Sequence, residues 1–257
     1  MTELFPQLIV GIFISAAAGL LGVFAILKRM SLVGDALSHV ALPGIALALY
    51  FKINPFLGAL AFLFLSIIGI WLLEYRSKIS VDTIVGVFFT TSLALGAIFI
   101  PDLELIEALF GDISKVTTAD VILSVVFSLF LIFSLLAIYR KLALHMVSQD
   151  LAHSIGINSR RLEFIYLLLF ALGVALGIKF VGALLMGALI IIPAASAKNV
   201  ARGLGEFMAG SIFFGVLSAV SGIYLSTLYD YSSGPLFILT GTVIFILSLI
   251  WRGIFRN

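Results

Sequence analysis

Long charge-free runs dominate the chain, and they set its architecture before any single residue is weighed. A helix needs roughly 20 apolar residues to cross the hydrocarbon core of a bilayer. Leu4–Leu27 carries no charge and stops at Lys28-Arg29, and residues 53–73, 83–101, 121–139, 207–229 and 231–251 are further uncharged runs of suitable length. Residues 36–51 form a shorter run that carries His39. The apolar stretch 164–197 is too long for one crossing and is interrupted at Gly177-Ile178-Lys179. It predicts two short helices, with a reentrant hairpin as the alternative. The pattern predicts an all-α, polytopic transmembrane helix bundle of about eight or nine spans.

The placement of basic residues orients that bundle. Nine crossings with the N-terminus outside put all of the 15 Lys and Arg residues on one side except Lys52, Lys115 and Lys179. Cytoplasmic loops carry the excess of Lys and Arg, so the basic side and the C-terminus are expected in the cytoplasm. A single crossing by 164–197 would strand Lys198 and Arg202 outside, so the charge bias favours two passes.

Composition agrees and excludes other classes. Of 257 residues 62% are apolar and 11% charged, against about a quarter charged in a soluble domain, and the mean hydropathy is +1.26. No polar linker or charge block divides the chain, which reads as one membrane domain over 1–257. The net charge of +2 is spread along it and gives no nucleic-acid footprint. With no Cys, disulfides, thiolate metal sites and thiol catalysis are ruled out. The N-terminal run lacks a basic n-region and a small-residue cleavage site, so it is expected to stay as a span. Many of the 23 Gly fall inside spans, as in Gly173-Val-Ala-Leu-Gly177 and Gly182-Ala-Leu-Leu-Met-Gly187, where small residues let helices approach closely. Pro43 and Pro193 each interrupt an apolar run and free backbone carbonyls, which must be covered by protein or a water-filled cavity.

The sharpest chemical feature is Asp35-Ala-Leu-Ser-His39, followed by Val-Ala-Leu-Pro43-Gly44. Asp and His four apart share one helical face, so a carboxylate oxygen and an imidazole nitrogen can hold one cation. Such ligands suit zinc, manganese or iron(II). Ionisable groups inside a span point by default to a substrate or proton path. The plainer alternative is a local Asp–His hydrogen bond that stabilises the start of a helix. Ser38, Asp82 and Asp112 are the further ligand candidates, with helix capping at Ser80-Val-Asp-Thr as the competing role for Asp82. His145 and His153 are expected in a cytoplasmic loop, away from the pair. A sparse site suits a transporter, because the ion must leave as well as enter. An enzyme would need a third strong ligand, and no His-Glu-x-x-His pattern appears.

Two loops complete the picture. The stretch 101–112 gathers Asp102, Glu104, Glu107 and Asp112 into an acidic outer mouth that would draw cations inward, although a solvated loop or a dock for an external protein has the same composition. Residues 148–158 place Leu151, Ile155 and Ile157 among polar neighbours, as in a short amphipathic helix ended by Gly156. That segment would lie on the membrane or plug into a soluble partner. No phosphate loop is present, so work driven by ATP needs another polypeptide.

The residues 29–44 around Asp35 and His39, Phe110-Gly-Asp112-Ile113, and the segment 181–195 through Pro193 together resemble the membrane subunits of bacterial ABC importers for zinc, manganese and iron. Asp150-Leu151-Ala152-His153-Ser154-Ile155-Gly156 is similar to the segment with which that family couples to its ATPase. The resemblance runs through most of the chain. It implies a homodimer in the bacterial cytoplasmic membrane, working with two cytoplasmic ABC ATPase subunits and an extracytoplasmic metal-binding protein. It further implies that Asp35 and His39 are transient ligands of a transported divalent metal ion, that no cofactor is bound permanently, and that the chain has no catalytic activity of its own. On the residues alone, an ion-coupled secondary transporter or channel with Asp35 as a proton-linked group stands as the alternative. An intramembrane metal-dependent enzyme is a third reading.

Overall fold

The computed structural model describes residues 4–77, 79–100, 108–109, 111 and 116–255, and among these it contains helices and no strand. The helices are α1 (Leu4–Leu27), α2 (Val33–Val40), α3 (Leu42–Tyr50), α4 (Pro55–Ser77), α5 (Val81–Phe99), α6 (Thr118–Val147), α7 (Gln149–Ser154), α8 (Ser159–Val181), α9 (Ala183–Val200), α10 (Leu204–Tyr229) and α11 (Ser233–Phe255). Eight segments are long and apolar enough to cross a membrane, with α2 and α3 together forming one, Val33–Tyr50. The helix α5 contributes a shorter apolar stretch, Thr83–Phe99.

Burial sorts the helices by position. The apolar window of α1 is 78% buried, that of α6 only 22%. Lipid is as apolar as a leucine side chain, so the outward faces of α4, α6 and α11 stay apolar without a protein partner. The helix α1 is the central post, packed against α6, α8, α9 and α10, while α2 lies against α9, α5 and α8.

Three expected boundaries move. The second span begins at Val33 rather than Ala36, and Met30, Val33 and Gly34 are already buried. The stretch 164–197 is two helices, but the break falls at Gly182, not at Gly177-Ile178-Lys179. Gly182 has φ 87° and ψ 161°, a conformation essentially restricted to glycine. Lys179 does not interrupt α8, because its ammonium pairs with Asp120 at the start of α6. His145, expected in a loop, lies inside α6 and is buried.

The prolines find different settings. Pro43 sits in the first turn of α3, where its missing N–H removes no helical bond, and the chain is stepped at Ala41 between α2 and α3. Pro193 lies within α9, buried near Gly215 of α10, and the carbonyl that it frees belongs to Leu189, itself a buried residue. The helices α3 and α4 cross at Gly44 and Gly58, where a Cβ on either would come within 2.2 Å of the other's carbonyl oxygen.

Ion pairs tie helix ends together at both ends of the bundle. At one, Lys28 after α1 pairs with Glu163 of α8. At the other, Asp120 holds Lys179 and also closes a capping box with Thr117, so one carboxylate starts α6 and fastens it to α8.

Candidate functional site

The short helix α2 carries Asp35 in its first turn and His39 in its last. No side chain caps its N-terminus, and a carboxylate in the first turn complements the unsatisfied N–H groups there. His39 is 5% exposed and Asp35 half-buried. The His39 ring meets Phe89 of α5 edge to face, with centroids 5.2 Å apart.

The imidazole is oriented by its own helix. Nδ1 of His39 lies 3.0 Å from the backbone carbonyl oxygen of Asp35. A carbonyl only accepts, so Nδ1 carries the proton and donates, and Nε2 of the neutral ring holds the lone pair. Fixing one nitrogen in this way prepares the other as a metal ligand. The expected local Asp–His hydrogen bond is therefore real, but it goes to the Asp35 main chain and leaves the carboxylate out of it.

Ser38 fastens α2 to α9. Its Oγ lies 2.7 Å from the carbonyl oxygen of Asp35 and 2.6 Å from that of Ala183. One hydroxyl proton serves both acceptors as a shared bond. Ser38 was a candidate ligand on spacing; in the structure its hydroxyl is engaged with these two carbonyls.

A second contact with α9 comes from Gly187. A Cβ built there would lie 2.7 Å from Asp35 Cβ and 2.8 Å from both Asp35 Cα and its amide nitrogen. The backbone of α2 thus rests directly on this glycine, and the Gly182–Gly187 motif seats the Asp35–His39 helix. Sequence spacing pairs Asp35 with His39. It gives no sign that Gly187, Ala183 and Phe89 surround them, because those contacts span 50 to 152 residues.

The other predicted positions fall as follows. Among the described residues no three of His, Asp and Glu gather around a common point. Ser80 caps α5 by accepting from the Thr83 amide; the side chain of Asp82 lies outside those described. Asp102, Glu104, Glu107 and Asp112 also lie outside the described residues. A cavity of about 570 Å³ opens between α3, α4 and α8 at the Lys179 end, lined by Ile45, Leu49, Asn54, Phe56, Ala175 and Lys179 among others. Its described lining contains no carboxylate or imidazole.

The segment 148–156 folds as its pattern predicts. Ser148 caps α7 by accepting from the Leu151 amide at 3.3 Å, and Gly156 follows with φ +77°. Ala152 is fully buried, whereas Leu151 and Ile155 are 57% and 63% exposed, beside the exposed Asp150, His153 and Ser154. Two apolar side chains are thus presented from a short, capped helix anchored by Ala152.

Known proteins resemble this chain along nearly its whole length. The profile of the ABC 3 transport family matches residues 1–252. The chain is 36% identical to the high-affinity zinc uptake system membrane protein ZnuB of Haemophilus influenzae, over 97% of each chain. It is 32% identical to the manganese transport system membrane protein MntC of Listeria innocua, covering 95% of this chain and 89% of that one. Among solved structures, PsaBC from Streptococcus pneumoniae in complex with Fab superposes with a TM-score of 0.86 at 30% identity, over 96% of this chain and 91% of that one. With eight apolar helices long enough to cross a membrane and these similarities, the chain belongs to the ABC 3 transport family and is a membrane permease subunit of the zinc and manganese importer kind.

Proposed function

We propose that this chain carries a divalent metal ion, zinc in the first place and manganese in the second, inward across the bacterial cytoplasmic membrane, with Asp35 and His39 as transient ligands. The observation that carries this reading is the buried His39. Its Nδ1 is held by the Asp35 carbonyl, so the lone pair is on Nε2, one helical turn from a half-buried carboxylate. A neutral imidazole nitrogen and a carboxylate oxygen fit zinc and accept manganese. Asp82 and Asp112 are the further ligands that we assign to the pathway. A site of few protein ligands binds weakly enough to release its ion.

The remaining parts of the machine follow from family membership and charge. The Lys28 end of the bundle is the cytoplasmic one, since nearly all basic residues gather on that side. The helix α7 would seat in an ATPase subunit through Leu151 and Ile155, and the acidic loop with Asp102, Glu104 and Glu107 would face an extracytoplasmic metal-binding protein. Two copies of the chain with two ATPase subunits would alternate the access of the site, ATP binding and hydrolysis biasing the two states. The names of the relatives include manganese as well as zinc, which keeps the second metal in view.

Reconstitution tests the reading. Proteoliposomes containing this chain, its ATPase and a zinc-loaded binding protein are expected to accumulate zinc only with ATP, and cold manganese should compete more weakly than cold zinc. Equal uptake by the chain alone, driven by a proton gradient, would instead establish an ion-coupled carrier.

A further inference from the structure

A partly buried cluster of ionisable groups that the metal site does not use lies at the Lys28 end. Lys28 pairs with Glu163, and Nε2 of His145 stands 4.0 Å from the other carboxylate oxygen of Glu163. The Lys28 and Glu163 side chains are 15% and 14% exposed, His145 only 2%. Glu74, at the end of α4, lies within electrostatic reach of Lys28. Nδ1 of His145 is buried and has no hydrogen-bond partner among the described residues.

The positions of these residues along the chain matter most. His145 is in the last turn of α6, immediately before the Ser148 cap of α7. Glu163 is in the α8 segment that follows α7. Together they flank the proposed ATPase-docking helix on both sides. Lys28 closes α1 and leads through Arg29, at φ 60°, and Met30, whose amide donates to Ala25, directly into α2 with Asp35 and His39. The N-terminus of α8 is further held to α4 by Arg160 over the Trp71 ring at 4.3 Å and by Trp71 against Phe164.

We infer that Lys28, Glu163 and His145 form a mechanical joint between the ATPase-docking helix and the metal-carrying helix. This inference rests on the permease reading given above. Motion imposed on α7 moves His145 and Glu163 together, and the partly buried ion pair transmits it to the α1–α2 connection. Coupling between distant sites needs an element with two discrete arrangements. The His145–Glu163 contact, at 4.0 Å between Nε2 and the carboxylate, leaves room for a second one, in which the imidazole closes on the carboxylate. These three are positioning residues and touch no metal.

The test measures ATP hydrolysed per zinc ion moved in the reconstituted complex. Glu163→Gln and Lys28→Met are each expected to raise that ratio about tenfold, within the 5–150-fold range typical of coupling between sites, with ATP hydrolysis maintained. Lys28→Arg keeps the pair and should stay within about twofold of the wild type, a factor well inside that range. Because a single change removes one member of a partly buried ion pair, the double variant Lys28→Met/Glu163→Gln guards against misfolding. It should assemble and show the same ratio as either single variant, since partners in one joint are not additive. A wild-type ratio in the assembled double variant overturns the joint, as does a proportional fall of uptake and hydrolysis together. A wild type that moves no zinc with ATP would overturn the permease reading itself, a separate outcome.

Discussion

The contact between Gly187 and Asp35 gives the most direct purchase on how the fold positions its ligands. In Gly187→Ala, the new methyl would sit 2.7 Å from Asp35 Cβ and 2.8 Å from Asp35 Cα and N, where ordinary contacts begin near 3.4 Å. The overlap is therefore about 0.6–0.7 Å against each of three atoms. All three belong to the backbone or first carbon of α2, so no side-chain rotation relieves it. The helix must move away from α9, stretching the Ser38–Ala183 contact of 2.6 Å. Overpacking of this kind costs about 1–3 kcal/mol. Borne by the ligand helix, the same energy corresponds to a roughly 5- to 150-fold loss in binding. We expect Gly187→Ala to lower the melting temperature of the purified protein and to reduce zinc uptake below saturation by at least about fivefold. Gly205→Ala is the control, since a Cβ there meets nothing within 4 Å. A Gly187→Ala protein that melts and transports like the wild type would refute the claim that α9 seats the ligand helix.

Further expectations address the neighbouring features. Ser38→Ala leaves the Ala183 carbonyl without this donor and is expected to cost about 1–3 kcal/mol, read from thermal unfolding in detergent. Gly182→Ala forces a non-glycine residue into φ 87°, which should cost about 1–3 kcal/mol by the same assay, with substitution at Gly205 again as the benchmark. Leu151→Asp with Ile155→Asp changes exposed positions, so the isolated permease should keep its stability within about 0.5 kcal/mol. Co-purification of the ATPase should nevertheless be lost; retained co-purification would remove α7 from the docking surface.

Which parts of this account are legible in the sequence follows from the range of the forces involved. The spans are readable because a membrane demands length and apolarity within one continuous segment, and most runs between charges satisfy it. The capped α7 is readable for the same local reason, its Ser148 start and Gly156 stop lying next to the apolar pair they present. Misplaced features depend on distant partners. Lys179 reads as a break in an apolar run, yet α8 continues through it because Asp120 supplies the counter-charge. His145 reads as a loop residue near basic neighbours, but α6 carries it inward to Glu163. The ligand pair shows both sides of the matter. Helical spacing alone places Asp35 beneath His39, whereas the seat at Gly187, the Ser38 fastening to Ala183 and the Phe89 wall exist only once α5 and α9 have packed.

The central claim is that Asp35 and His39 hold the transported ion, and zinc uptake by complexes carrying Asp35→Ala or His39→Ala tests it most directly. Assembly with the ATPase is verified separately by co-purification. Both variants are predicted to assemble and retain ATP hydrolysis while zinc accumulation falls to background. Normal uptake by either assembled variant would contradict the account and leave that residue with a purely structural role in α2.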